Sequence, residues 1–150
     1  MSKEKFNHHI TEIVKFHEVD LLGVCNNAVY FNYFEDARIK YLQELKYQFN
    51  IEEILTGDLF FIMAHNYCDY LVPAVLDDEL EVYTRISKLK NTSFEVEHII
   101  IKEATKETIA KGGGVLVHIN KETKKSVPLP KTFYEAVLNY EENVEVIKNT

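Results

Sequence analysis

Residues 14–42 read Val-Lys-Phe-His-Glu-Val-Asp-Leu-Leu-Gly-Val-Cys-Asn-Asn-Ala-Val-Tyr-Phe-Asn-Tyr-Phe-Glu-Asp-Ala-Arg-Ile-Lys-Tyr-Leu. The order is the end of a strand, a short irregular turn carrying Asp20 and Gly23, and then a long helix. Ala28, Val29, Tyr30, Phe31, Tyr33, Phe34, Ala37, Ile39, Tyr41, Leu42 and Leu45 leave that helix little polar surface in its first turns. A helix apolar nearly all round is normally buried. One so rich in aromatic residues depends on tertiary packing more than on its own propensity. Asn26 and Asn27 stand directly before the apolar run, where an N-cap is expected. A loop carboxylate therefore lies a few residues ahead of a buried helix N-terminus.

Outward from this stretch, the helix is expected over 27 to about 48, with one more helical turn over 51–58 ending at Gly57. A first strand is expected over 6–17, with Ile10, Val14 and Phe16 on one face and Ile13 on the other. Residues 59–70 read as a second strand, apolar on both faces and closed by Pro73. Residues 78–87 alternate, Leu80, Val82 and Ile86 against Glu79, Glu81 and Arg85. Residues 93–102 alternate again, with Phe94, Val96, His98 and Ile100 on one face. The last long strand, 108–119, contains Gly112, Gly113 and Gly114, three of the five glycines. Glycine weakens a strand unless another backbone or element must come close. Gly112 and Gly114 share a face, which is expected to seat the helix. A polar loop over 120–130 leads to a terminal helix over 131–147 with Phe133, Val137, Tyr140 and Val144 as its apolar stripe and its acids on a solvated face. No repeat or linker interrupts the 150 residues, so a single α+β domain over 1–150 is expected. An antiparallel sheet wrapped around the long central helix buries that helix best. Open sheet edges would favour pairing with a second subunit, with the strand at 78–87 or its neighbour as the candidate pairing edge.

The composition excludes several classes. A formal charge of −7 leaves no excess of Lys and Arg to neutralise nucleic-acid phosphates. No stretch approaches the roughly 20 apolar residues of a membrane span. Cys25 and Cys68 have no metal spacing and read as buried or half-buried thiols; with no signal peptide evident they point to a reducing, cytoplasmic setting. There is no paired Cys/His spacing or HExxH, so no metal is expected. There is no Gly-x-Ser-x-Gly elbow for a serine hydrolase. The glycine run is no phosphate loop, because no Lys-Ser/Thr follows it. A cluster of Arg85, Lys88, Lys90, Lys102, Lys106 and Lys111 is either a local anion patch or ordinary solvated surface.

The pattern Asp20-x-x-Gly23-x-x-x-Asn27-x-x-Tyr30-x-x-x-Phe34-Glu35-x-Ala37-Arg38 resembles the hotdog-fold acyl-CoA thioesterases, specifically the 4-hydroxybenzoyl-CoA thioesterase-like family. Weaker echoes follow at Tyr70-x-x-Pro73, Asp78-x-Leu80, Ala110-x-Gly112 and Pro128-Leu129-Pro130. The resemblance implies a hotdog fold with a C-terminal helix and a site between subunits of a homodimer or homotetramer. It implies an acyl-CoA or acyl-carrier-protein thioester as substrate and no separate cofactor. Asp20 falls where the family's Asp acts on the thioester, as nucleophile or as base for water. The backbone N–H of Asn27 falls where the carbonyl is polarised. Many bacterial members carry His or Tyr at that position, so the expected role rests on the backbone. Gly23, Ala28, Tyr30 and Phe34 are the expected substrate-binding residues, Tyr30 as wall rather than acid.

The chemistry agrees with these assignments. A carboxylate is ionised at neutral pH and can attack a carbonyl or deprotonate water. Free N–H groups and the positive end of a helix suit a developing oxyanion. The competing reading of Asp20 is a turn or capping residue. Glu35 and Arg38, three apart, are expected to pair on the helix, either buried or at an interface. His17 reads as a surface histidine, and His98 as a satisfied core or pocket histidine. The alternative functions are a hotdog dehydratase acting on hydroxyacyl thioesters and a non-catalytic acyl-thioester-binding protein. The first would need a His paired with an acid at the helix start, and none stands there.

Overall fold

The computed structural model describes residues 3–45 and 59–147. The expected helical turn over 51–58 and the end of the central helix lie outside them. The elements are β1 (His8–Ile13), α1 (Val29–Glu44), β2 (Leu59–Tyr70), β3 (Glu79–Leu89), β4 (Ser93–Lys102), β5 (Thr108–Asn120), α2 (Lys131–Tyr140) and β6 (Glu145–Val146), with single 3-10 turns at Lys3–Lys5 and Phe16–Glu18. The sheet runs β1-β3-β4-β5-β2, with every pair antiparallel. Short β6 pairs in parallel with the end of β3, beyond the segment that β1 covers. With α1 as the long helix that the sheet wraps and α2 as the C-terminal helix, this is the hotdog fold.

Apolar alternation explains how the sheet holds α1. Leu80, Val82, Ile86, Phe94, Val96, His98 and Ile100 are all buried on its inner face. Val14, Tyr30, Tyr33, Phe34, Ala37, Leu80, Val82 and Ile100 form one core cluster. Tyr41, Leu42, Leu45, Ile86, Leu89, Phe94 and Leu116 form a second, which Phe133 and Val137 of α2 cover. Each fully buried Leu, Ile, Val or Phe contributes about 1.5–3 kcal/mol relative to exposure. The ring of Phe34 lies on Gly112, where an added Cβ would come within 2.5 Å of its Cε2. The helix is thus seated on that glycine as expected. At Gly114 the close neighbours are instead the His65 carbonyl and Met63 of β2, because β2 bulges between Met63 and His65 and crowds β5 there.

The structure corrects several further expectations. α1 is not enclosed all round in one chain: Asn32, Glu35, Asp36, Lys40, Gln43 and Glu44 are exposed along one side. β1 ends at Ile13, and the 3-10 turn swings Phe16 out to 80% exposure, off the face it was expected to share with Val14. Of the 78–87 strand and its neighbour, expected as the pairing edge, β3 lies inside the sheet between β1 and β4, whereas its neighbour β1 is an outer strand, as is β2. β2 is apolar in sequence yet half-open on both faces, with Ile62 and Tyr70 exposed. The terminal helix stops at Tyr140, and Glu141 is not solvated but 5% exposed. Its Oε2 accepts the Tyr41 hydroxyl at 2.5 Å and the Ile86 N–H at 3.3 Å. Arg85, expected to point outward, is also buried, bonded to Glu97 at 3.0 Å and to the Asn143 carbonyl.

Candidate active site

Asp20 opens a tight turn. Its Oδ1 accepts the N–H of Leu22 at 2.8 Å and of Val24 at 3.4 Å, the usual use of a short carboxylate ahead of a turn. Its own N–H donates to the Val24 carbonyl, and the Gly23 N–H donates to the Asp20 carbonyl. Gly23 has φ of 79°, which a residue without Cβ adopts at little cost. Both side-chain bonds use Oδ1, so the turn is built without Oδ2, and Asp20 is exposed. Leu21 and Leu22 project from the tip of the turn into solvent.

Three straps carry this turn to the start of α1. The Asn26 N–H donates to the Glu18 carbonyl at 2.8 Å, and Val19 bridges Cys25. The Cys25 N–H donates to the Ala74 carbonyl, and Val24 bridges Val75. Beneath them, buried Glu18 accepts the Tyr33 hydroxyl and the Lys15 N–H through Oε1, both at 2.8 Å. Burial, chiefly, and this bond to Glu18 push the Tyr33 phenol well above its ordinary pKa, so it remains a donor. Cys25 Sγ lies 3.8 Å from the same hydroxyl, and burial pushes its thiol up as well; Cys68 is pushed up to about 11 by burial. Neither thiol is an activated nucleophile.

The helix starts two residues later than expected, with Ala28 in the N-cap position and no side-chain cap, and Asn26 forms a turn just ahead of it. Asn26 Oδ1 accepts the Ala28 N–H at 3.0 Å, and the Asn26 carbonyl accepts the Val29 N–H. The Asn27 carbonyl accepts the Tyr70 hydroxyl at 2.8 Å. Among the described residues no hydrogen bond uses the Asn27 N–H, and Asn27 is exposed. An unengaged N–H just ahead of a helix start is a group that can donate to a negative oxygen.

Of the six expected site residues, Asp20, Gly23, Asn27 and Ala28 are exposed around this turn, whereas Tyr30 and Phe34 are at most 2% exposed and lie beneath it. Tyr30 accepts the Ala74 N–H through its hydroxyl and packs edge-on against Tyr70 at 5.0 Å. Phe34 stacks on His98 at 4.4 Å. His98 bonds Thr84 Oγ1 at 2.9 Å, and burial, reinforced by the nearby Arg38 charge, lowers its pKa to about 3. It is a neutral core residue. His17 is exposed, as expected of a surface histidine. Glu35 and Arg38 do pair, at 3.9 Å. Sequence reasoning missed the Glu18–Tyr33 bond and the Tyr70–Asn27 bond. Only the Tyr70-x-x-Pro73 echo hinted at the latter. The expected basic cluster is largely spoken for: Lys90 pairs with Glu95, Lys102 with Asp78, Lys106 with Glu81 and Arg85 with Glu97, all within 3.3 Å. Among the described residues no group of three or more His, Cys, Asp or Glu is disposed to hold a metal ion, and no helix is long and apolar enough to cross a membrane.

Comparison with known proteins agrees with this fold. Protein YsmA of Bacillus subtilis (strain 168) is 31% identical over 114 residues, which are 76% of this chain and 74% of that one. An acyl-CoA thioesterase, YbgC, of Haemophilus influenzae is 34% identical over 91 residues, 59% of this chain and 65% of that one. A thioesterase of Thermus thermophilus, solved with coenzyme A and zinc, superposes with a TM-score of 0.77 at 35% identity, covering 92% of this chain and 96% of its own. Residues 14–137 match the model of the thioesterase-like superfamily, from the strand end before Asp20 to the core of α2, and the chain belongs to that superfamily.

Proposed function

We propose that Asp20 and the N-terminus of α1 together hydrolyse an acyl-CoA or acyl-carrier-protein thioester to the free acid and thiol. The chain is a hotdog-fold thioester hydrolase by family. The observation that supports the finer assignment is the strapped turn, which carries the exposed Asp20 carboxylate a few residues ahead of an exposed Asn27 whose N–H no other group engages among the described residues. The acyl carbonyl oxygen lies at the Asn27 N–H, where the helix dipole favours the charge that develops on it. Asp20, as base, takes a proton from water as the water oxygen bonds to the carbonyl carbon. The tetrahedral adduct then expels the thiolate, which recovers that proton. As nucleophile, Asp20 would instead bond to the carbonyl carbon and expel the thiolate directly, and water would cleave the resulting anhydride. Gly23 permits the turn, Ala28 keeps the helix start open, and Tyr30 and Phe34 form the floor.

Asp20→Asn tests this. Asparagine retains an Oδ1 that can accept the Leu22 and Val24 N–H groups, so the turn and the melting temperature should persist. The amide is a poor base and nucleophile, so kcat should fall at least about 10²-fold, with KM changing less. Both measurements belong on the same sample, against a panel of short, long and aromatic acyl-CoAs. Near-normal kcat in Asp20→Asn would sink this mechanism. Binding of acyl-CoA with no turnover by the wild type would favour the non-catalytic reading.

A further inference from the structure

We infer that Arg38 sets the acyl specificity by pairing with a carboxylate at the far end of a medium-length acyl chain. This rests on the thioesterase reading above. Arg38 lines a cavity of about 190 Å³ whose other walls are Glu35, Ile39, Leu42, Phe61, Met63 and Leu116. Its side chain is only 12% exposed, yet its ion partner is a Glu35 carboxylate that is 64% exposed and 3.9 Å away. A cation removed this far from water ordinarily has a short, often bidentate, anionic partner, and a solvated partner at that distance contributes little. The cavity thus presents a guanidinium, paired at long range with the largely solvated Glu35 at the cavity's edge, to walls that are apolar apart from these two residues. A methyl end would leave that charge facing hydrocarbon, whereas a carboxylate would form a charge-assisted pair.

The cavity lies on a line that begins at the proposed oxyanion site. Asn27, Phe31, Phe34, Arg38 and Leu42 recur at steps of three and four and so share one stripe of α1. On β2, Met63 pairs with Leu116, Cys68 with Gly112 and Tyr70 with Ala110. Gly112 is where Phe34 rests, so Cys68 and Tyr70 share the helix-facing side, and the bulge after Met63 returns that residue to the same side. α1 packs chiefly on β1 and β3, which leaves its β2 flank the more open. A strip therefore runs from the Tyr70–Asn27 contact to the Arg38 cavity. The Arg38 head lies beside Glu35, eight residues beyond Asn27, or about 12 Å along the helix axis. An extended decanoyl chain spans about that distance.

The test compares decanedioyl-CoA with decanoyl-CoA in the wild type, Arg38→Met and Arg38→Lys, alongside calorimetric binding of the free acids decanedioate and decanoate. The wild type should favour the dioyl ester about tenfold or more in kcat/KM, mostly through KM, and bind decanedioate more tightly by a similar factor. Arg38→Met should abolish the preference, and Arg38→Lys should retain part of it. Equal kcat/KM for the two esters in the wild type overturns the inference while leaving hydrolysis intact. Equal loss of both esters in Arg38→Met and Arg38→Lys assigns Arg38 to structure or to a subunit interface instead, and also overturns it. If Arg38→Met does not fold, the wild-type ratio and Arg38→Lys decide. If the wild type turns over neither ester but hydrolyses another acyl-CoA of the panel, the inference is overturned and the thioesterase reading stands; if it hydrolyses none of them, that reading fails as well, and equal affinity for the two free acids then disposes of the Arg38 site.

Discussion

The missing side chain at Gly112 determines how closely α1 approaches the sheet. A Cβ there would lie 2.5 Å from Phe34 Cε2 and 2.6 Å from the Tyr67 carbonyl, which is β2 backbone. Gly112→Ala should lower the melting temperature, with an overpacking cost of about 1–3 kcal/mol. Calorimetry should show Phe34→Leu recovering part of that loss in the double variant, since the smaller side chain vacates one of the two contacts. The role of Gly112 was legible because a glycine run inside a strand demands a spatial reason. Glu141 was not legible: on its own helix it looks like one acid among several, and its partner Tyr41 lies 100 residues away in the chain. Arg85 misled in the same way, since alternation along β3 says which face it takes and nothing of the Phe6 and Asn143 groups that cover it.

β1 and α1 meet across two acids. Glu12 of β1 faces Asp36 of α1 in an open cleft of about 640 Å³ that also takes in His8, Lys40 and Glu44. Burial first, then the charge and hydrogen bond of Asp36 and the charge of Glu18, raise the Glu12 pKa to about 7; Lys15 opposes them. Because the folded pKa is above the unfolded one, the protonated pair's contribution is fully present below about pH 4.5 and is lost as pH rises through about 7. Glu12→Gln should therefore raise the melting temperature by about 2–4 °C on the alkaline side. The gain should shrink towards zero on the acid side, in a thermal scan repeated across pH. A pH-independent gain would place the effect in packing instead. The strands themselves were largely legible: 93–102 coincides with β4 because a polar turn marks each end and the alternation between them is clean. The helix start was displaced by two residues because Asn26 spends its side chain and carbonyl on a turn over 26–29 instead of capping a helix from 27, which only the folded chain shows.

The sheet presents two outer strands of different character. β1 is six residues long and carries His8, His9 and Glu12, features that blunt an edge; β2 is twelve residues long and exposes Ile62 and Tyr70. Pairing of two copies through β2 is the expected route to a dimer, and it would cover the open β2 flank of α1. Light scattering should give at least twice the chain mass at micromolar concentration, and a stable monomer there would exclude it. No sequence pattern could rank the two edges, since strand order is a long-range property and 78–87 alternates as cleanly as any edge strand. The bonds from Glu141 to Tyr41 and to the Ile86 amide have a further bearing, on the order in which the chain is made. A ribosome releases the apolar faces of Tyr41, Ile86 and Phe94 long before Phe133 and Val137 can cover them, and the Tyr41 hydroxyl gains its acceptor only when residue 141 emerges. The nascent chain therefore carries the faces of this core cluster uncovered until the last fifteen or so described residues are made and close it.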